Sequence, residues 1–259
     1  LAKHASGLRS EPTIRGLVTH DLIPALGKVK VTDIRRRHVI ELIERKAEHA
    51  PRSAAQLLIY TRKILAYAAD RELIDVNPAA DLLPASITVK GRRDPLRPRR
   101  RERVLDADEI RAVWQRAEAC GMHRLTALAL KLTLLTGQRP GEVAGMHGDE
   151  IDGRLWTIPA ARRGKTQTAH TVHLTATALA ILDAAAQERA RLARRRDSEW
   201  AGYVFEARPG LPLTSSAMGR AVARYADALG AKGDRWTPHD LRRTMRTGLS
   251  ACRVRPDIA

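Results

Sequence analysis

The stretch LTALALKLTLLTGQRPGE, Leu125 to Glu142, starts as a mainly apolar run and ends in turn and charged residues. The spacing predicts a buried helix over about 123–135 that stops where Thr136 and Gly137 begin the turn. Pro140 then opens a new helix, which leaves Arg139 at its N-terminal boundary. Free backbone N–H groups and the helix dipole favour an anion there, and a guanidinium adds bidentate recognition of phosphate. Glu142, three residues on, can buttress that arginine from the same side. A plain helix cap with a surface salt bridge would use the same residues, so the rest of the chain has to decide.

In the same half of the chain, Asp106 and Glu109 form a capping box for the helix ADEIRAVWQRAE. GRLWTIPA and AHTVHLT alternate as an antiparallel pair of strands, joined by the basic hairpin ARRGKTQT. Thr175 caps the long helix ATALAILDAAAQERARLARRR, and Ser215 caps one expected to run through Leu229. Thr237, with Pro238 in the first turn, opens PHDLRRTMRTGLSA. On that helix His239 and Arg242 lie three apart and emerge on one face. Histidine exchanges a proton near neutral pH while arginine keeps its charge, a pair suited to a phosphate whose oxygens gain charge during reaction. Lys165, on the hairpin between these boxes, can protonate a departing oxygen. A solvated helical face is the alternative reading of the same pair.

Upstream, RRRHVIELIERKAE places Val39, Ile40, Leu42 and Ile43 on one helical stripe, and SAAQLLIYTRKILAYAADREL repeats it with Leu57, Leu58, Thr61, Leu65 and Ala68. Pro24, Gly27 and Pro51 act as breakers between these helices and a weaker one around 12–23. Residues 1–88 therefore read as a small helical bundle, 89–103 as a linker and 104–259 as a mainly helical domain with a small antiparallel sheet. The basic and acidic groups number 14 and 10, 8 and 2, and 24 and 17 in these segments, nets of +4, +6 and +7. Charge is densest in VKGRRDPLRPRRRER, which holds Arg99, Arg100 and Arg101. Such a segment reads equally as a solvated tether or as a contact for a polyanion.

The 259 residues, 44% of them hydrophobic, suffice for one large core or two modest ones. A net charge of +17 points to a polyanionic partner, nucleic acid or an anionic membrane surface. No apolar run is long enough to span a bilayer and the start lacks the regions of a secretory signal, so a cytosolic location is the expectation. Cys120 and Cys252 make no disulfide framework. His170 and His173, an odd number apart in a strand, fall on opposite faces, so no zinc site is expected. Aromatic residues at 3% argue against a single-strand binder that stacks bases.

Taken in order, TGQRPGE at Thr136–Glu142, Lys165 five residues before HTVHL, and HDLRRT at His239–Thr244 resemble the tyrosine recombinase, or phage integrase, family. LIPALGKVKVTDIRRRHVIELI and AADRELIDVNPA resemble its core-binding domain in phage and genomic-island integrases, so the likeness covers nearly the whole chain. The resemblance implies a helical core-binding bundle and a mixed α/β catalytic domain that clamp double-stranded DNA, with protomers forming a tetramer on attachment sites. It implies Arg139 and Arg242 as clamps on the scissile phosphate, Lys165 as general acid and His239 as acid/base helper. Glu142 becomes the support of Arg139, and Arg99, Arg100, Arg101 and Arg243 become DNA contacts. No metal or nucleotide cofactor is implied, because the bond energy is kept in a 3′-phosphotyrosine.

In the family the nucleophilic tyrosine follows the second box. No tyrosine follows Arg242 in these 259 residues, while Tyr203 and Tyr225 precede the box and read as structural. The sequence is thus expected to lack the nucleophile segment, and its start looks clipped before the first bundle helix. A DNA-binding integrase remnant without chemistry is the main alternative; a type IB topoisomerase shares the catalytic set but not the LIPALG and NPA pattern.

Overall fold

The computed structural model describes residues 10–89, 96, 101–163, 168–197 and 199–255. Two compact units divide the chain, Leu1–Arg101 and Glu102–Ala259.

In the first unit, helix α1 (Glu11–Leu17) passes through a π-turn (Val18–Leu22) into α2 (Ile23–Leu26). Pro24, expected to break this segment, lies inside it. The turn explains how: proline has no N–H to return to the preceding turn, and the Ile23 N–H reaches back to the Val18 carbonyl in the wider π pattern. Helices α3 (Arg36–His49) and α4 (Pro51–Ala69) meet at Ala50, with Pro51 at the first helical position, where its missing N–H is no loss. The two apolar stripes face each other. Val39, Leu42 and Ile43 pack with Leu57, Leu58 and Leu65, and Leu17, Leu82 and Ile87 close the same core. Ile40 sits at the edge of that stripe and is only partly buried.

The second unit opens with α5 (Ala107–Arg116), and the expected capping box is present: Asp106 Oδ1 accepts from the Glu109 N–H at 2.9 Å and Glu109 Oε2 from the Asp106 N–H at 3.0 Å. Glu109 is fully buried, and its Oε1 accepts from the Lys232 backbone N–H at 3.0 Å and from the Arg103 guanidinium. Arg103, read in the sequence as the last linker residue, is therefore built into this unit. Burial works to raise the Glu109 carboxyl, but these hydrogen bonds, led by the Lys232 N–H, hold it below the usual range.

Helix α6 (Arg124–Thr136) is buried over most of its surface, with Leu125, Leu128, Leu130, Leu132 and Leu134 inside and Ala127 and Ala129 between them. A helix that is apolar all round belongs at the centre of a core. Around it lie α7 (Pro140–Ala144), the strands β1 (Ile151–Asp152), β2 (Leu155–Ile158) and β3 (His170–His173), and α8 (Ala176–Arg196). The strands β4 (Glu206–Arg208) and β5 (Leu211–Pro212) and the helices α9 (Ser215–Arg224) and α10 (Pro238–Ala251) follow. The sheet is antiparallel in the order β1-β2-β3, with Trp156 opposite Val172 and Ile158 opposite His170.

The fold class is the one expected, mainly α with a small antiparallel sheet. Three details differ. Strands β1, β4 and β5 are two or three residues long, too short to leave an alternating pattern. The cap of α9 is Thr214, whose Oγ1 accepts from the Ala217 N–H at 3.1 Å, so Ser215 is the first helical residue. That helix ends at Arg224 rather than Leu229, and Tyr225 beyond it donates its hydroxyl to the Gly121 carbonyl at 2.8 Å. Among the described residues no helix is long and apolar enough to cross a membrane.

Candidate active site

Helix α6 ends at Gly137, which adopts φ +63° and donates its N–H to the Thr133 carbonyl. This left-handed cap favours glycine, and a Cβ here would lie 2.8 Å from Met245 Sδ on α10. The close approach has a use: the Gly137 carbonyl accepts from Arg242 Nη1, joining the Thr136–Glu142 box to α10. Two residues on, Arg139 is extended at φ −63°, ψ 136° and precedes α7. Glu142 is buried, with Oε2 accepting from the Arg139 N–H at 3.0 Å and Oε1 from Arg139 Nη1 at 2.8 Å. The Arg139 side chain stays 42% exposed.

One expectation is corrected here. Helix α7 has only five residues, and the Glu142 carboxylate already takes the backbone N–H of Arg139. A dipole summed over so few peptides is small, so attraction for an anion rests on the guanidinium groups instead.

Helix α10 is fixed at its start by Asp240, whose Oδ2 accepts from the Thr237 N–H at 2.8 Å and the Thr237 hydroxyl at 2.9 Å. Thr244 Oγ1 donates to the Asp240 carbonyl at 2.8 Å and accepts from the Leu105 N–H at 2.9 Å. Arg243 donates to Asp240 Oδ1 and, at 3.3 Å, to the Arg103 carbonyl. Part of its donor set thus holds the domain entry in place. His239 and Arg242 lie three residues apart on this helix.

The electrostatics of this corner are one-sided. Burial first, then the charges of Arg139 and Arg246, push the Arg242 guanidinium below its ordinary value, with Glu142 opposing them. His239 is exposed at its surface, yet the protein around its ring, ahead of Arg242, Arg243 and Arg139, lowers its pKa against the pull of Asp240. His170 is lowered by burial and then by Arg163, Arg242 and Arg139, with Glu142 opposing. Both imidazoles are therefore neutral near pH 7.

Arg139, Glu142, His239 and Arg242 thus come together from two separated stretches of sequence. Lys165, Arg99 and Arg100 lie outside the described residues, and Arg101 is exposed. Arg163 and His170 join the group without having been singled out for it. Arg163 Nε lies 3.6 Å from Glu142 Oε1, with its side chain 13% exposed. His170 shares its strand face with the buried Val172, a same-face relation legible in the period of two. Arg163 had no such signal among the basic residues of its hairpin. Tyr203 stacks edge-on with His147 at 5.3 Å and accepts from Trp200 Nε1 through its backbone carbonyl at 2.7 Å.

The sequence model described as the phage integrase family matches residues 103–257, and that of the phage integrase central domain matches residues 3–85. The chain belongs to the phage integrase family. It is 28% identical over 248 residues to the prophage integrase IntZ of Escherichia coli (strain K12), covering 94% of this chain and 56% of the relative. With the integrase of Enterobacteria phage P4 it shares 30% identity over 166 residues, 61% of this chain and 36% of the relative. The chain therefore spans about half the length, or less, of these two relatives. The fold matches a lambda integrase dimer bound to a COC′ core site at a TM-score of 0.72 and 18% identity, covering 96% of this chain and 85% of that one. The Tn1549 transposon integrase in complex with circular intermediate DNA matches at a TM-score of 0.71 and 14% identity, over 99% and 86%. Both TGQRPGE and HDLRRT fall inside the matched integrase region.

Proposed function

We propose that this chain takes part in site-specific DNA recombination, cutting and rejoining duplex DNA through a 3′-phosphotyrosine, and that the Arg139–Arg242 corner binds the scissile phosphate. The observation that carries this is the meeting of two guanidiniums of like charge from different elements, one held by Glu142 and the other by the Gly137 carbonyl. Facing cations repel, and a phosphodiester placed between them removes the repulsion.

In this reading Arg139 and Arg242 hold the non-bridging oxygens and stabilise the charge that grows on them as a tyrosine oxygen attacks phosphorus. The 5′-oxygen leaves with a proton from Lys165, His239 exchanges a proton at the phosphate, and Glu142 fixes Arg139. No step requires a metal or nucleotide cofactor. Residues 1–88 serve as the core-binding domain and 89–103 as a basic linker along the DNA backbone, where Arg99, Arg100 and Arg101 contact phosphates. Arg243 adds a contact through the donors not committed to Asp240 and Arg103. The partner is an attachment-site duplex inside the cell, with four protomers acting together; a lambda integrase tetramer bound to a Holliday junction, with a TM-score of 0.71, supports that assembly.

Binding and cleavage are tested separately. The 259-residue polypeptide binds duplex DNA with a steep salt dependence, and neutralising Arg99, Arg100 and Arg101 together lowers the log–log slope by up to about 3. An unchanged slope means the linker is a passive tether. The same polypeptide forms no covalent adduct with a nicked attachment-site duplex on denaturing electrophoresis, because Tyr203 and Tyr225 do not serve as nucleophile. An adduct lost on Tyr203→Phe or Tyr225→Phe overturns that assignment.

A further inference from the structure

The Glu142 carboxylate faces more than one cation. Its Oε1 accepts from Arg139 Nη1 at 2.8 Å and lies 3.6 Å from Arg163 Nε. Arg163 is well buried, and its Nε has no hydrogen-bond partner among the described residues. Its Nη1 donates to the Thr168 carbonyl at 3.2 Å, which fixes the side chain from the other end. A guanidinium held in place with an unused donor, beside a carboxylate already bonded to Arg139, exceeds what a helix cap requires.

We propose that Arg163 is a positioning residue of the phosphate site, a third guanidinium that offsets Glu142 and leaves Arg139 and Arg242 with their full charge toward the phosphate. This rests on the reading of the Arg139–Arg242 corner as that site. Glu142 orients Arg139 but also cancels one positive charge. Arg139, Arg163 and Arg242 against Glu142 leave a formal charge of +2 on these four groups, where the set without Arg163 leaves +1, and Arg246 adds positive charge beside Arg242. A phosphodiester carries one negative charge, and the five-coordinate phosphorus formed from it carries two. The third guanidinium thus adds positive charge that favours the doubly charged transition state over the singly charged ground state. The neighbouring imidazoles do not change this balance, since His170 and His239 are neutral near pH 7.

The test uses the 259-residue polypeptide and two small probes at pH 8, phenyl phosphate as a dianion and dimethyl phosphate as a monoanion, with binding followed by NMR. Wild type prefers the dianion. Arg163→Gln loses on the order of tenfold in dianion affinity and less for the monoanion, while Arg163→Lys keeps most of the preference. In wild type the Arg163 Nε–H resonance shifts as phenyl phosphate is added, a readout that does not depend on a folded variant. If wild type shows no preference and Arg139→Gln changes nothing, the phosphate-site reading fails. If wild type prefers the dianion, Arg139→Gln loses that preference and Arg163→Gln keeps it, Arg163 is only structural and the present inference is overturned. A stationary Arg163 Nε–H signal during a saturating titration overturns it as well.

Discussion

Replacing Glu142 by glutamine keeps shape and volume but exchanges one accepting oxygen for an NH2 donor and removes the charge. Both carboxylate oxygens are committed, Oε2 to the Arg139 N–H at 3.0 Å and Oε1 to Arg139 Nη1 at 2.8 Å, so either amide orientation sets donor against donor. Hydrogen bonds to a charged group contribute about 1.5–3 kcal/mol each, and one of the two is lost outright. Arg139 is 42% exposed, so solvent screens the ionic part and the lower end of that range applies. Loss of attraction to Arg163 adds a few tenths, which puts the total near ~2 kcal/mol. For a unit of this size that lowers Tm by about 4–8 °C. The assay is selective: Trp114, Trp156, Trp200 and Trp236 are the only tryptophans and all lie in the second unit, so their fluorescence follows that unit alone. A Tm within about 1 °C of wild type would mean that Glu142 is not the organising group of the box.

Gly137→Ala places a Cβ at φ +63° and lowers the stability of the second unit by about 1–2 kcal/mol in denaturant titration; Met245→Ala in the same chain relieves the contact but not the backbone strain. An unaffected Gly137→Ala variant refutes the left-handed cap. In NMR titration the imidazoles of His170 and His239 have midpoints below the reference value of 6.5. Because the folded-state values are depressed, their contribution to stability is present above the unfolded value and is lost as pH falls through the folded one; midpoints at or above 6.5 would contradict the cation-rich surroundings. Sulfate, compared with chloride at equal ionic strength, raises the Tm of the second unit by about 3–5 °C at ten times its Kd. Arg139→Gln removes that gain, and a gain that survives the substitution places the sulfate elsewhere.

Much of the fold was legible because its signals are local. The stripe through Leu57, Leu58, Thr61, Leu65 and Ala68 is the face that α4 buries, and Asp106 with Glu109 forms the box that its spacing announced. What escaped depends on neighbours distant in sequence. Pro24 continues a helix because a π-turn accommodates it, and β4 with β5 exists only as a pair of very short strands. For the candidate site, Arg139 and Glu142 were readable as a helix-boundary pair, and His239 with Arg242 as one face of a helix. That Arg242 comes near Arg139 was implied by family likeness rather than by spacing, and its bond to the Gly137 carbonyl, 105 positions away, was implied by neither. Arg163 was hidden for a different reason: in a hairpin rich in basic residues, only three-dimensional contact shows that Arg163 lies beside the Glu142 carboxylate while Arg162 donates to the Glu142 backbone carbonyl.

The arrangement of buried carboxylates bears on the proposed phosphate site. Among the described ion pairs of the second unit, Glu109 answers Arg103 and Glu150 answers Arg162, each a single guanidinium held by a carboxylate with little or no exposure. Glu188 faces Arg124 and Arg191, whose side chains are 43% and 51% exposed, so neither of its partners is buried. Glu118 faces Arg124 and Lys131 but is itself 30% exposed, whereas Glu142 is 5% exposed. Glu142 pairs with Arg139 and Arg163, and it also opposes the neighbours that work against the half-buried Arg242. A cap needs one partner, and the further cations raise the energy of the empty fold by mutual repulsion. Such an excess persists in a marginally stable protein when an anion relieves it in use, because stability given up at a binding site is recovered on binding. The imbalance around Glu142 therefore argues for a phosphate at this corner independently of the sequence boxes that first drew attention to it.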